Sequence, residues 1–202
     1  MNKSDLQLQK FFTEMRKGIG KPNRYRIEFN LPIGVNDVEA NWESRRGNIQ
    51  SNQNKFNATG AINIMCHTAM LPERLLQSYE QKQMIVPYRV PYTQSYNPVT
   101  FTFYADSTLN TRRYFEIWQN SVVNVHNNSL NFYSEFTSDV NIYTLDVEGN
   151  DTYGVKLIKA YPLTLAATDL SYSNDGVQNI TVTLSYKYWT NIEDNREINR
   201  TV

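Results

Sequence analysis

Near its C-terminus the chain alternates cleanly: Ile180, Val182, Leu184, Tyr186 and Tyr188 are apolar, and Thr181, Thr183, Ser185 and Lys187 between them are polar. Successive strand residues face opposite sides, so the pattern predicts a long strand over 178–189 with one buried and one polar face. Upstream, Val155, Leu157 and Ile158 mark another strand. Tyr161-Pro162 should break it, because proline lacks a ladder donor and pushes its predecessor toward turn geometry. A short strand then leads to Asn174-Asp175-Gly176, where Asp-Gly supplies the positive φ angles of a tight turn.

The same reading covers the rest of the chain. Leu8, Phe11, Phe12 and Met15 recur at helical spacing, which predicts a short amphipathic helix over 4–17, capped by Ser4 or Asp5 and stopped by Gly18 and Gly20. Tyr25, Ile27 and Phe29 alternate in a strand from Arg24 to Leu31, ended by Pro32. Residues 33–57 are polar, with Trp42 and Phe56 the main core formers, and read as a long loop between paired strands. Further strands are predicted over 58–66 (Ile62 and Ile64 alternating), 83–90 and 99–104. Asp106 or Ser107 should cap a helix over 108–123 whose Leu109, Tyr114, Phe115, Trp118 and Val122 face a sheet. Ser138–Val147 alternates again, through either Val140, Ile142, Thr144 and Asp146 or the opposite set, and 190–202 is a polar tail. Seven or eight strands and one main helix predict a mainly β chain. Its expected form is an antiparallel β-sandwich or barrel with one flanking α-helix, a single domain over 1–202.

Composition supports this: aromatics are 13% of the 202 residues, with 14 tyrosines, a strand-favouring bias. The lone Cys66 excludes an intrachain disulfide framework and fits a reducing compartment. No apolar run approaches the roughly 20 residues of a membrane span, so a soluble, intracellularly made chain is expected. Net charge is zero, which gives no support to a nucleic-acid coat. The distribution is uneven, however. Residues 1–134 carry fifteen basic and ten acidic side chains, and 135–175 carry seven acidic against Lys156 and Lys159. Such a run is most often solvated surface, or else an acidic face for association or for repelling a polyanion.

Chemistry is sparse. Cys66-His67 lacks a second ligand at metal spacing, since His126 is remote; a small buried thiol and a turn histidine after the strand are expected. No phosphate loop, nucleophile elbow or EF-hand spacing occurs, so no catalytic residue, metal or cofactor is expected. Arg24-Tyr25-Arg26, Tyr88-Arg89 and Arg112-Arg113-Tyr114 interleave base and ring, but strand and helix spacing assign those rings to packing.

Several fragments, in order, resemble the tail tube protein of contractile-tailed, T-even-like bacteriophages. They are Gly20-Lys21-Pro22-Asn23-Arg24-Tyr25, the run Met65 to Pro72, Pro87-Tyr88-Arg89-Val90-Pro91, Arg113-Tyr114-Phe115-Glu116-Ile117-Trp118, Ala160-Tyr161-Pro162 and Leu184-Ser185-Tyr186-Lys187-Tyr188-Trp189. Two features depart from the family: the polar stretch 33–57 is longer, and the net charge is less acidic, than a tube subunit should have.

The resemblance implies a homo-hexameric ring with a continuous inner β-barrel. Rings stack into a tube inside a sheath, built in the host cytoplasm and carried in the virion tail. It implies sheath, baseplate or initiator, tape measure and tail terminator proteins as partners, with DNA passing the lumen without specific binding. On that footing Asn36, Trp42, Arg45, Arg46 and Phe56, with segment 1–20, are candidate inter-ring contacts. Thr181, Thr183 and Ser185 are candidates for the lumen, and Glu135, Asp139 and Glu148 for the lumen or a sheath-facing acidic surface. The baseplate's tube initiator, the tube of a related contractile injection system, and a nucleic-acid-binding β-domain are the alternatives.

Overall fold

The computed structural model describes residues 10–13, 20–30, 32, 62–82, 87–107, 109–123, 128–173 and 175–192. Their main elements are β1 (Tyr25–Phe29), β2 (Cys66–Ala69), β3 (Leu75–Gln81), β4 (Tyr88–Ser95), β5 (Val99–Tyr104), α1 (Asn110–Val122), α2 (Tyr133–Phe136), β6 (Ser138–Leu145), β7 (Asp151–Leu165), β8 (Asn179–Ser185) and β9 (Tyr188–Asn191). All strand pairings are antiparallel. Seven strands join in the order β1-β6-β7-β8-β5-β2, with β9 beside β7, and β3-β4 form a separate two-stranded sheet. The expected mainly β, antiparallel class with a flanking helix is what the chain adopts.

The spine is β7. Its first ten residues pair with β6 and, on the other edge, with β9; its last five pair with β8. Tyr161-Pro162 therefore does not end the strand. It marks where the strand leaves one half of the sheet for the other, and Pro162 is tolerated beside a bulge between Pro162 and Thr164. The turn in direction begins at Lys159, whose φ of 54° is left-handed. That costs a non-glycine residue about 1 kcal/mol, and Asp139 offsets it: its Oδ1 accepts the Lys159 N–H at 3.0 Å. Inward parity shifts there, from Val155 and Leu157 to Ala160 and Pro162.

Opposite the bend, the predicted 178–189 strand is interrupted at Tyr186-Lys187 into β8 and β9. Register nevertheless continues across the gap, with Tyr161 opposite Ser185 and Ile158 opposite Tyr188, and the Lys187 N–H reaches the Ile158 carbonyl at 3.0 Å. Ile180, Val182, Leu184 and Tyr186 are buried as expected, whereas Tyr188 is exposed beyond the interruption.

The core is aromatic. Phe29 of β1 meets Phe101 at 5.6 Å between ring centroids, and Phe103 meets Phe115 of α1 at 5.1 Å. Tyr114, Phe115 and Trp118 give α1 its buried face, joined by Thr111 and Ser121; Leu109 and Val122 are only half-buried. Asp106 serves the helix start, its carboxylate accepting the Asn110 N–H at 2.8 Å. On β6 the Val140–Ile142 set faces inward. The outer strands β1 and β2 are drawn together by side chains: Tyr25 Oη donates to the Cys66 carbonyl at 3.0 Å, and Asn63 Oδ1 accepts the Phe29 N–H at 3.0 Å. The sheet thus curls toward a barrel.

Other expectations change. Residues 62–65 form a helical turn rather than a strand, so Ile62 is buried and Ile64 lies exposed. Of the strand expected at 83–90, residues 83–86 lie outside the described residues; β4 takes up Tyr88–Ser95, running through Pro91, and pairs with β3 before it. His67 lies inside β2 rather than in a turn after it. Of the helix expected over 4–17 only residues 10–13 are described, as helical, with Phe11 and Phe12 exposed. The loop 33–57 lies outside the described residues; of the tail expected over 190–202, Thr190 and Asn191 belong to β9 and the residues from 193 onward lie outside the described residues.

Two substitutions test this packing. Trp118 is fully buried and its Nε1 donates to the Phe136 carbonyl at 2.7 Å, so Trp118→Ala should cost about 3–5 kcal/mol in chemical denaturation. A Cβ on Gly154 would sit 2.9 Å from Ile192 Cδ1 and 3.0 Å from the Tyr143 ring. Gly154→Ala should therefore lower stability by roughly 1–3 kcal/mol through overpacking, against near-neutrality for Gly20→Ala, where the space is open.

Candidate assembly surfaces

The face of β8 opposite the core carries Thr181, Thr183 and Ser185, all half-buried. Strand register extends it: Thr183 lies opposite Thr100 on β5 and Thr164 on β7, Thr181 opposite Thr102, and Thr102 opposite Thr68 on β2. Thr100 and Thr183 share a hydroxyl–hydroxyl bond of 3.2 Å. The result is a neutral hydroxyl surface spread over four strands. β-Branched threonine suits it, since one branch satisfies a neighbour while the methyl covers the sheet.

The outer face of the β1–β6–β7 half differs. Arg26 bonds Glu28 and, at 2.7 Å, Asp151, with its guanidinium 4.5 Å from the Tyr143 ring centroid. Lys156 pairs with Asp139 at 2.9 Å. These charges satisfy one another on exposed surface, where each pair contributes little. Desolvation, followed by Glu28, raises the Tyr143 pKa.

The three acidic candidates do not converge. Asp139 holds the β7 bend and Lys156. Glu135 is exposed on α2, before β6, and Glu148 is exposed in the turn after it. Eight strand residues separate those ends, about 25 Å at ~3.3 Å per residue. In that turn Asp146 Oδ1 accepts the N–H groups of Glu148 (2.8 Å) and Asn150 (2.9 Å), and Gly149 supplies a φ of 88°. These bonds, Asn150 foremost, lower the Asp146 pKa. The five inter-ring candidates Asn36, Trp42, Arg45, Arg46 and Phe56 lie outside the described residues.

Cys66 donates weakly to the carbonyls of Thr68 and Thr102, and burial pushes its thiol up to about 12. Such a thiol stays protonated and is a poor nucleophile at neutral pH. His67 stacks on Tyr104 at 4.5 Å. Among the described residues no three His, Cys, Asp or Glu side chains are placed to hold a metal ion.

Sequence reasoning missed the β3–β4 hairpin as a surface. Tyr79, Tyr88 and Tyr92 are at least half exposed. Gln81 and Gln77 accept the hydroxyls of Tyr88 (3.2 Å) and Tyr92 (3.0 Å), and the Tyr79 and Tyr92 rings lie 6.1 Å apart. Among the described residues the hairpin pairs with no third strand. No alternation marks it in the sequence, since nearly every residue of β3 and β4 is exposed.

The sequence model of the phage tail tube protein family matches residues 20–192. The chain belongs to that family. A tail tube subunit is a structural component of the tail, and the solved structures that this one resembles come from contractile injection systems. A chain of the anti-feeding prophage baseplate aligns at 11% identity with TM-score 0.58, over 87% of this chain and 96% of that one. A chain of that prophage's tube-terminating cap aligns at 12% and 0.56, over 86% and 91%. A chain of an extracellular injection system's extended sheath-tube complex aligns at 10% and 0.54, over 89% and 95%. At such identities the likeness is one of fold. No curated protein sequence matches the chain.

Two side chains are open to test. Asp139→Ala removes both the cap on Lys159 and the Lys156 pair, and should destabilise by about 1–3 kcal/mol in urea unfolding. Lys156→Ala should do much less, since only an exposed pair is lost. Asp146 has a lowered folded pKa, so its contribution is present above the ordinary value of 3.8 and is lost as pH falls through the lower folded value. Amide exchange at Glu148 and Asn150 should accelerate in that acid window, and in Asp146→Ala the acceleration should be present at neutral pH.

Proposed function

We propose that this chain is the repeating subunit of a contractile tail tube: six copies close a ring, rings stack, and DNA leaves the capsid through the bore. The observation that carries the reading is the neutral hydroxyl face across β2, β5, β7 and β8 on a tail tube fold. A polyanion is held by clustered Lys and Arg through counterion release. A wall of Thr181, Thr183 and Ser185 offers no such hold, so DNA slides. Closing the sheet edges between copies removes the aggregation hazard that they present in a monomer.

Asn36, Trp42, Arg45, Arg46 and Phe56 are proposed inter-ring contacts on the strength of their place in a long polar segment. The Tyr79–Tyr88–Tyr92 face of the hairpin is proposed to lie against a second copy, because an isolated two-stranded sheet is marginally stable in water and tyrosines bind well at little entropic cost. Sheath, baseplate and terminator are proposed partners on the likeness to chains of sheath-tube, baseplate and cap assemblies. A tape measure protein and assembly in the host cytoplasm follow from the phage tail role. A second reading, the initiator ring, draws on the likeness to a baseplate chain.

Negative-stain microscopy of the purified chain is expected to show tubes with a central hole. Single rings that never extend favour the initiator, and monomers at high concentration reject both readings. In assembled tails, Thr181→Lys with Thr183→Lys should leave tube length normal and slow DNA ejection at least about tenfold, with relief at high salt. Unchanged ejection removes the bore assignment.

A further inference from the structure

The β3–β4 hairpin leaves the body as an arm, yet its root is held. Glu73 leads into β3, and its carbonyl accepts Trp189 Nε1 at 3.3 Å. The Arg74 guanidinium lies 4.5 Å from the Trp189 ring centroid and 5.9 Å from that of Tyr96. Asn97, just past β4, donates its amide to the Glu73 carboxylate. Tyr96 meets the buried Tyr186 at 6.1 Å. Trp189 packs against the core on β9, opposite Leu157 of the spine. Both strands of the arm are thus fastened to the β8–β9 interruption, through rings rather than through a second strand layer.

We infer that Arg74 is a positioning residue: its guanidinium, stacked on Trp189, sets the angle at which the β3–β4 arm is presented to a second copy of the chain. This rests on the tube reading. Leverage makes the root decisive. Seven strand residues extend about 24 Å, so a 10° change at the root moves the tip by about 4 Å, enough to miss a partner surface. A preset arm joins without an ordering cost at the moment of contact. The flat guanidinium is what matters, because lysine keeps the charge but cannot lie against the ring in the same way.

The experiment compares full-length wild type, Arg74→Ala and Arg74→Lys by amide exchange in dilute monomer and by critical concentration for tube growth. Arg74 is exposed, so both variants keep the fold and their thermal midpoint. The arm's amides at 76–80, 89–90 and 92–94 should exchange about fivefold faster in both variants, as loss of a ring–cation stack frees the root. Critical concentration should rise about tenfold, with core amides of β6 and β8 unchanged. Arm exchange at the wild-type rate, tube growth at the wild-type concentration, or restoration of both by Arg74→Lys each overturns the inference. If wild type itself forms no tubes, the tube reading fails and the assembly role of Arg74 falls with it, while the monomer exchange still reports whether the clamp exists.

Discussion

The bend in β7 organises the rest of the molecule. A strand of fifteen residues serves two half-sheets, and it can do so only by changing direction without losing its partners. Lys159 takes the left-handed conformation, Asp139 holds its N–H, and the partner strand yields at Tyr186-Lys187 while keeping register. The one-residue change in parity keeps Val155 and Leu157 on one side of the bend, and Ala160 and Pro162 on the other, pointed at the same core. Without that shift, one half of the spine would turn its apolar side chains to water.

Two surfaces with different chemistry follow. Around the first ten residues of β7, Arg26, Glu28, Asp139, Asp151 and Lys156 neutralise one another in local pairs. Around the last five the outward face carries threonine and serine beside Tyr161 and the exposed Leu163. One subunit thus carries a charge-laced side and a neutral one. Cys66, the obvious reactive candidate, is spent on packing between β2 and β5, where burial holds its proton.

Much of this was legible in residue order. The alternation at Ile180–Tyr186 and at Tyr25–Phe29, and the helical recurrence of Tyr114, Phe115 and Trp118, foretold buried faces correctly, because each of those elements packs one side on a core. The hairpin was illegible for the complementary reason: both of its faces are wet, so Leu75-Leu76-Gln77-Ser78-Tyr79 carries no period-two contrast. Ile62 and Ile64 misled because alternation over three residues cannot separate a strand from a helical turn. Asp139 was legible only as one acid of a charged run; that it caps the Lys159 N–H depends on β6 lying beside β7.

From the sequence alone came the antiparallel β class, the main flanking helix, the aromatic core and the neutral face of the closing strand, since all four depend on short-range periodicity that strand and helix geometry impose directly. Only the tertiary structure decided that Pro162 is a crossing point instead of a stop, that Thr100, Thr102 and Thr68 extend the face begun by Thr181 and Thr183, and that Arg74 meets Trp189. Those depend on which distant residues are brought opposite one another. Register between strands more than eighty residues apart is set by the packing of the whole core, and no local pattern encodes it.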